Sequence, residues 1–230
     1  METTKHEGYE EFAAQFDLTL LETELTEADV AKGIELAGQY GVAVVFVRPC
    51  DLDLAVNWTK GSNIVLGTVV DWPAGYSPSA VKAYGARDLL RRGAKRLDVP
   101  MNTGKLRSRQ FQYLEMELAQ IADACHQSDA KLNVTLDSQY LTDELRIVTC
   151  RICRRAAVDS VASPLFTDAA LLKEYSKERF LLRAPVNSLE EALQFRAASY
   201  SRFSSSNATA ILEAWKTKLA ESADTTSVLS

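Results

Sequence analysis

Along the chain, short runs of apolar and β-branched residues alternate with longer stretches in which apolar positions recur every three or four residues. The runs VAVVFV (42–47), NIVLGTVV (63–70), KLNVTL (131–136) and VDSVA (158–162) predict strands. Four weaker runs, FDLTL (16–20), KRLDV (95–99), RFLLR (179–183) and YSRFS (200–204), extend the series, and each strand is followed by a helical stretch. Helix-end signals agree with the period. Thr26 is placed to cap a helix that closes at Gly41, and Ser77 to cap another with Pro78 in its first turn.

Strands alternating with helices imply parallel pairing, and eight such units in about 200 residues predict an α/β fold of the (β/α)8 type, a TIM barrel. The barrel is expected to be a single domain over 1–221, with 222–230 as a flexible C-terminal tail. An open doubly wound sheet is the competing architecture. No G-x-G-x-x-G follows any predicted strand, which removes the usual sign of a dinucleotide.

Composition narrows the function classes. With 230 residues, 47% of them apolar, the chain can bury a sizeable core without being divided. A net charge of -5 lacks the basic footprint that phosphate neutralisation requires, so no nucleic-acid partner is expected. No apolar run approaches the roughly 18 residues of a membrane helix, so no membrane partner is expected either. The opening METTKHEGYEEF is too polar for a secretory signal, and a cytoplasmic location is expected. Of the four cysteines, Cys150 and Cys153 lie within a helical pattern from Thr142 to Ala156 with no second ligand pair at suitable spacing. All four are read as reduced thiols, with no metal site and no cofactor.

In a barrel of this kind the chemistry gathers at the carboxyl ends of the strands. Asp98 lies near such an end, where an unpaired buried carboxylate would cost several kcal/mol. Asp17 lies on the first strand, with Thr19 on the same face by the period of two. Either acid alone could serve as a cap or a structural hydrogen-bond acceptor. Together they point to a polar active cavity.

Four segments carry a resemblance: FDLTLLETELTEADV, GTVVDWPAGYSPSAVKAYGARDLLRRGAKRLDVPMNTGKLRS, DSQYLTDELRIVTC and RFSSSNATAILEAW. In order and spacing the chain resembles the deoxyribose-phosphate aldolase family over most of its length. The resemblance implies a class I aldolase barrel that cleaves or forms a carbon–carbon bond in deoxyribose 5-phosphate through a lysine Schiff base. It places Asp98 on the family's proton-relay aspartate and Asp17 and Thr19 on its first-strand pattern. Ser204, Ser205 and Ser206 fall on the serines that begin the last helix and face the phosphate, although plain helix capping would also account for them.

The same alignment implies losses. Ala162, or Val161 one register step away, occupies the place of the imine-forming lysine. Asn133 replaces the fifth-strand lysine, where it can still hydrogen-bond a substrate. Ala184 and Pro185 replace paired glycines, and Pro185 has no amide hydrogen to offer a phosphate. Arg183 stands nearest the seventh-strand lysine; it cannot form an imine but can clamp a phosphate or carboxylate.

Three readings follow. In the first the chain is an aldolase-like protein with a degenerate active site, a pseudoenzyme of the lyase family. Its mouth binds a small-molecule ligand such as a phosphorylated sugar through Thr19, Asn133, Arg183 and Ser204 to Ser206. In the second it is a lyase or isomerase on a sugar phosphate or keto acid, using Asp98 and Asp17 with or without a divalent ion. In the third another lysine restores aldolase chemistry. Assembly into a homo-oligomer through exposed helices stays open.

Overall fold

A computed structural model describes residues 8–227, and these form a closed barrel of parallel strands arranged in sequence order. The strands are β1 (Phe16–Leu20), β2 (Val44–Val47), β3 (Val65–Val69), β4 (Arg96–Pro100), β5 (Lys131–Thr135), β6 (Ser160–Ala162), β7 (Leu181–Pro185) and β8 (Arg202–Ser205). Helix α1 (Tyr9–Ala13) precedes the barrel, and α2 (Glu27–Gln39), α3 (Leu52–Trp58) and α4 (Ser79–Arg91) follow β1 to β3. Then come α5 (Thr103–Arg107), α6 (Phe111–Gln127), α7 (Asp143–Arg155), α8 (Ala169–Ser176), α9 (Leu189–Ala197) and α10 (Ala208–Ser227). The single-domain (β/α)8 architecture expected from the alternation is therefore present, and β8 closes the ring on β1.

The period of two sorts each strand into an outer and an inner face. On β4, Leu97 and Val99 are wholly buried in the layer between strands and helices, whereas Asp98 turns into the lumen. Val45 and Val47 of β2 join the same outer layer, and Phe46 between them does not. Phe12 of α1, Phe16, Phe203 and Trp215 of α10 form an aromatic cluster over the β1–β8 seam, with centroid separations of 4.8–6.3 Å.

Local signals hold at α2, where Thr26 Oγ1 accepts from the Asp29 amide and the Asp29 carboxylate accepts from the Thr26 amide. At α4 the expectation needs correction. The helix starts at Ser79, and Ser77 is not its cap, because the Asp71 carboxylate takes both the Ser77 amide and its hydroxyl, each at 2.7 Å. At the carboxyl end, α10 runs on to Ser227, beyond the point where a flexible tail was expected to begin, with no Gly or Pro to stop it; 228–230 lie outside the described residues.

Among the described residues no helix is long and apolar enough to cross a membrane. All four cysteines are free thiols. Burial pushes Cys125 and Cys150 up to about 12 and raises Cys153 further.

Candidate functional site

The carboxyl ends of the strands surround a cavity of about 420 Å³. Thr19, Phe46, Asp98, Thr135, Ala162, Arg183 and Ser204 bring strand residues to its wall, and loop residues including Glu22, Trp72, Asn187 and Ser206 form its rim. The strand period explains the choice: each wall residue occupies a lumen-facing position. On β3 that position is Gly67, and a Cβ there would lie 2.7 Å from the Phe46 ring. The missing side chain is what lets the ring fill the lumen.

Arg183 organises the charge. It is 3% exposed, Nη1 donates to Asp98 Oδ2, and Nε lies 3.0 Å from Asp17 Oδ2. The Nε contact is an ion pair without hydrogen-bond alignment. The guanidinium carbon also stands 4.8 Å from the centroid of the Phe46 ring. Burial alone would lower the guanidinium; the Asp98 and Asp17 carboxylates outweigh it and hold Arg183 above its ordinary value.

Each acid has a further partner. Asp98 Oδ1 accepts from Thr135 Oγ1 at 2.7 Å, and Asp17 Oδ1 accepts from Arg202 Nη2. Both oxygens of both carboxylates are thus engaged within the protein. A divalent ion placed between the two acids would have to displace a guanidinium. Arg96 enters the same layer from β4, and burial followed by repulsion from Arg202 lowers it.

The residues singled out from the sequence therefore separate by depth. Asp98, Thr19, Arg183, Ser204, Ser205 and Ser206 line the cavity, whereas Asp17 and Asn133 are not among its lining residues. Asn133 Oδ1 accepts from Ser160 Oγ at 2.6 Å, a buried pair beneath the mouth. Ser204 and Ser205 end β8 and do not open α10; Ser205 Oγ accepts from the Asn207 amide at 3.0 Å. Arg183, expected to reach for a ligand, donates to Asp98 and is ion-paired with Asp17.

Thr135 and Arg202 were missed, although the period of two carried the signal. Thr135 lies two residues beyond Asn133, and Arg202 two before Ser204, so each shares a lumen face with a residue already chosen. Trp72 and Glu22 come from loops, where periodicity gives no orientation.

The described lysines are elsewhere; none lines the cavity. Lys82 is buried on the outer wall between α4 and α6, where its Nζ donates to Glu117 Oε1 at 2.8 Å. Lys105 lies in α5 and donates to Gln110 Oε1 at 2.9 Å. The loop after Ala162 is fixed from within: Ser163 Oγ donates to Asp168 Oδ2 at 2.5 Å and lies 3.0 Å from Ser138 Oγ, while Arg146 Nε approaches Asp168 Oδ1 at 3.2 Å.

No family model matches the chain. A protein named deoxyribose-phosphate aldolase from Caldanaerobacter subterraneus subsp. tengcongensis is 29% identical, with 92% of this chain and 96% of that one covered. One of the same name from Enterococcus faecalis is also 29% identical, over 88% of this chain and 96% of its own. In fold the chain is similar to a deoxyribose phosphate aldolase from Aeropyrum pernix described as a tetramer, with a TM-score of 0.84, 23% identity, and 91% and 92% of the two chains covered. Over 88–92% of its length the chain is similar to proteins named deoxyribose-phosphate aldolase.

Proposed function

We propose that this protein is a deoxyribose-phosphate aldolase relative with a degenerate active site. Its barrel mouth binds a small polar metabolite and does not run Schiff-base cleavage. The observation that carries the reading is Ala162, a methyl group on the cavity wall at the position where the family resemblance places the nucleophilic lysine. Losing a covalent nucleophile costs many orders of magnitude, whereas a retained general acid or base supplies about 10² to 10⁴-fold. The ion pairing of Arg183 and Arg202 with Asp98 and Asp17 supports the same conclusion, since these groups hold one another in place.

Borohydride reduction in the presence of deoxyribose 5-phosphate or acetaldehyde, followed by mass spectrometry, tests this reading. Unmodified protein is expected. A reduced adduct on any lysine would overturn it.

A second reading rests on Asp98, the one carboxylate of the buried pair that lines the cavity. In it the protein is a lyase or isomerase in which Asp98 moves a proton without an imine, and Asp17 acts from below by holding Arg183. Asp98→Asn then removes turnover while ligand binding persists. Self-association belongs to either reading: Val81 and Tyr84 expose apolar surface on α4, and the similar Aeropyrum pernix protein is described as a tetramer.

A further inference from the structure

The metabolite-binding reading leaves open what kind of molecule enters the mouth, and the charge around the cavity bears on this. A phosphate monoester carries between about 1.5 and 2 negative charges at neutral pH. A site for it must supply cations, or backbone amides with no other partner. Among the lining residues, Glu22 and Asp98 are negative and Arg183 alone is positive, while Arg202, paired with Asp17, and Arg96 lie in the deeper layer and do not line the cavity. That lone cation is already shared between Asp98 and Asp17.

The two cavity-lining backbone donors after β7 are committed as well. Pro185 has none. The Val186 amide donates to Ser204 O at 2.9 Å, and the Asn187 amide donates to Glu191 Oε2 at 2.7 Å. Glu191 and Glu190 occupy the first turn of α9, so the positive end of that helix dipole already faces two carboxylates. Beside β8, the Asn207 amide is turned onto Ser205 Oγ.

The rest of the polar lining consists of hydroxyls such as Thr19, Ser204 and Ser206 and the Asn187 side-chain amide, groups that donate and accept without net charge. Phe46 and Trp72 add aromatic surface, and Trp72 is 44% exposed at the rim and open to a partner. Apolar walls with a few uncharged hydrogen-bonding groups suit a molecule of alternating C–H and O–H surface. We propose that the mouth selects an uncharged sugar or short polyhydroxy carbonyl compound and disfavours its phosphate ester. The proposal rests on the reading that the mouth binds a small metabolite.

Matched pairs test it. The full chain is titrated calorimetrically with 2-deoxyribose and with 2-deoxyribose 5-phosphate, then with glyceraldehyde and with glyceraldehyde 3-phosphate. In at least one pair the uncharged member is expected to bind about tenfold tighter or more. Excess inorganic phosphate should not compete with it, and Glu22→Gln on the rim should narrow the gap by strengthening the ester. Esters that bind as tightly as the uncharged members, or tighter, would overturn this proposal and leave the metabolite-binding reading standing. If neither member of either pair binds, both are overturned.

Discussion

Ala162 on β6 and Arg183 on β7 are register partners, so a methyl group and a guanidinium stand side by side on the wall of one cavity. The wall at 162 is thus where an amine would be needed, beside a guanidinium whose charge Asp98 and Asp17 already balance. Ala162→Lys is expected to give a reducible adduct with acetaldehyde and borohydride on the introduced side chain, detected by mass spectrometry, while the unaltered protein gives none. Absence of an adduct in a folded variant would mean that the wall at 162 does not present a side chain to the cavity.

Arg183 is the shared counter-charge of two buried acids. Arg183→Met removes it and leaves Asp98 without its cation and Asp17 with Arg202 alone. Breaking a buried ion pair from one side costs roughly 3–5 kcal/mol. Urea unfolding should show a loss of that size, and adding Asp98→Asn to the variant should recover part of it.

The buried thiols give a pH dependence of definite sign. Cys125 and Cys150 are pushed up to about 12 in the fold, while in the unfolded chain a thiol ionises near its ordinary value of about 8.5. Between those values the unfolded chain has lost protons that the folded chain keeps, so stability falls as pH rises. Below the lower value these groups contribute no slope. The melting temperature should therefore decline above about pH 9, and Cys125→Ala with Cys150→Ala should make that decline shallower, with the buried Cys153 supplying the remainder. Under native conditions a thiol reagent should modify only the exposed Cys50, with all four cysteines reacting in denaturant.

Gly67 tests the packing beneath the mouth. A Cβ placed there meets the Phe46 ring at 2.7 Å, and the ring in turn lies against Arg183. Gly67→Ala should cost about 1–3 kcal/mol through overpacking, measured as a lower melting temperature, and Phe46→Leu should relieve most of it.

The ring of strands was legible because hydrophobic alternation and helix caps are local, and sequence-adjacent strands are also neighbours in space. Thr26 shows this, since its partner Asp29 is three residues away. Ser77 shows where local reading fails: its hydroxyl meets Asp71 six residues back, across a loop that no period describes. At the candidate site, Asp98 was legible as a polar residue at a strand end, and Arg183 through the family resemblance. Their contact was not, because 85 residues separate them and only closure of the barrel brings β4 and β7 to a common centre. The sequence therefore indicated some of the polar groups that face the lumen, not Thr135 or Arg202, and not the hydrogen bonds and ion pairs that join them.

The ionic layer has a consequence for how the ring is completed. Asp17 and Asp98 belong to the first half of the chain, whereas Arg183 and Arg202 arrive only with its last two strands. A barrel assembled only through β6 would hold both carboxylates in its hollow without these two guanidinium groups, a state that solvent would have to enter to relieve. The layer thus works as a test of completeness, favouring closure over persistent half-barrels, and a fragment ending before β7 is expected to remain open and hydrated at its centre.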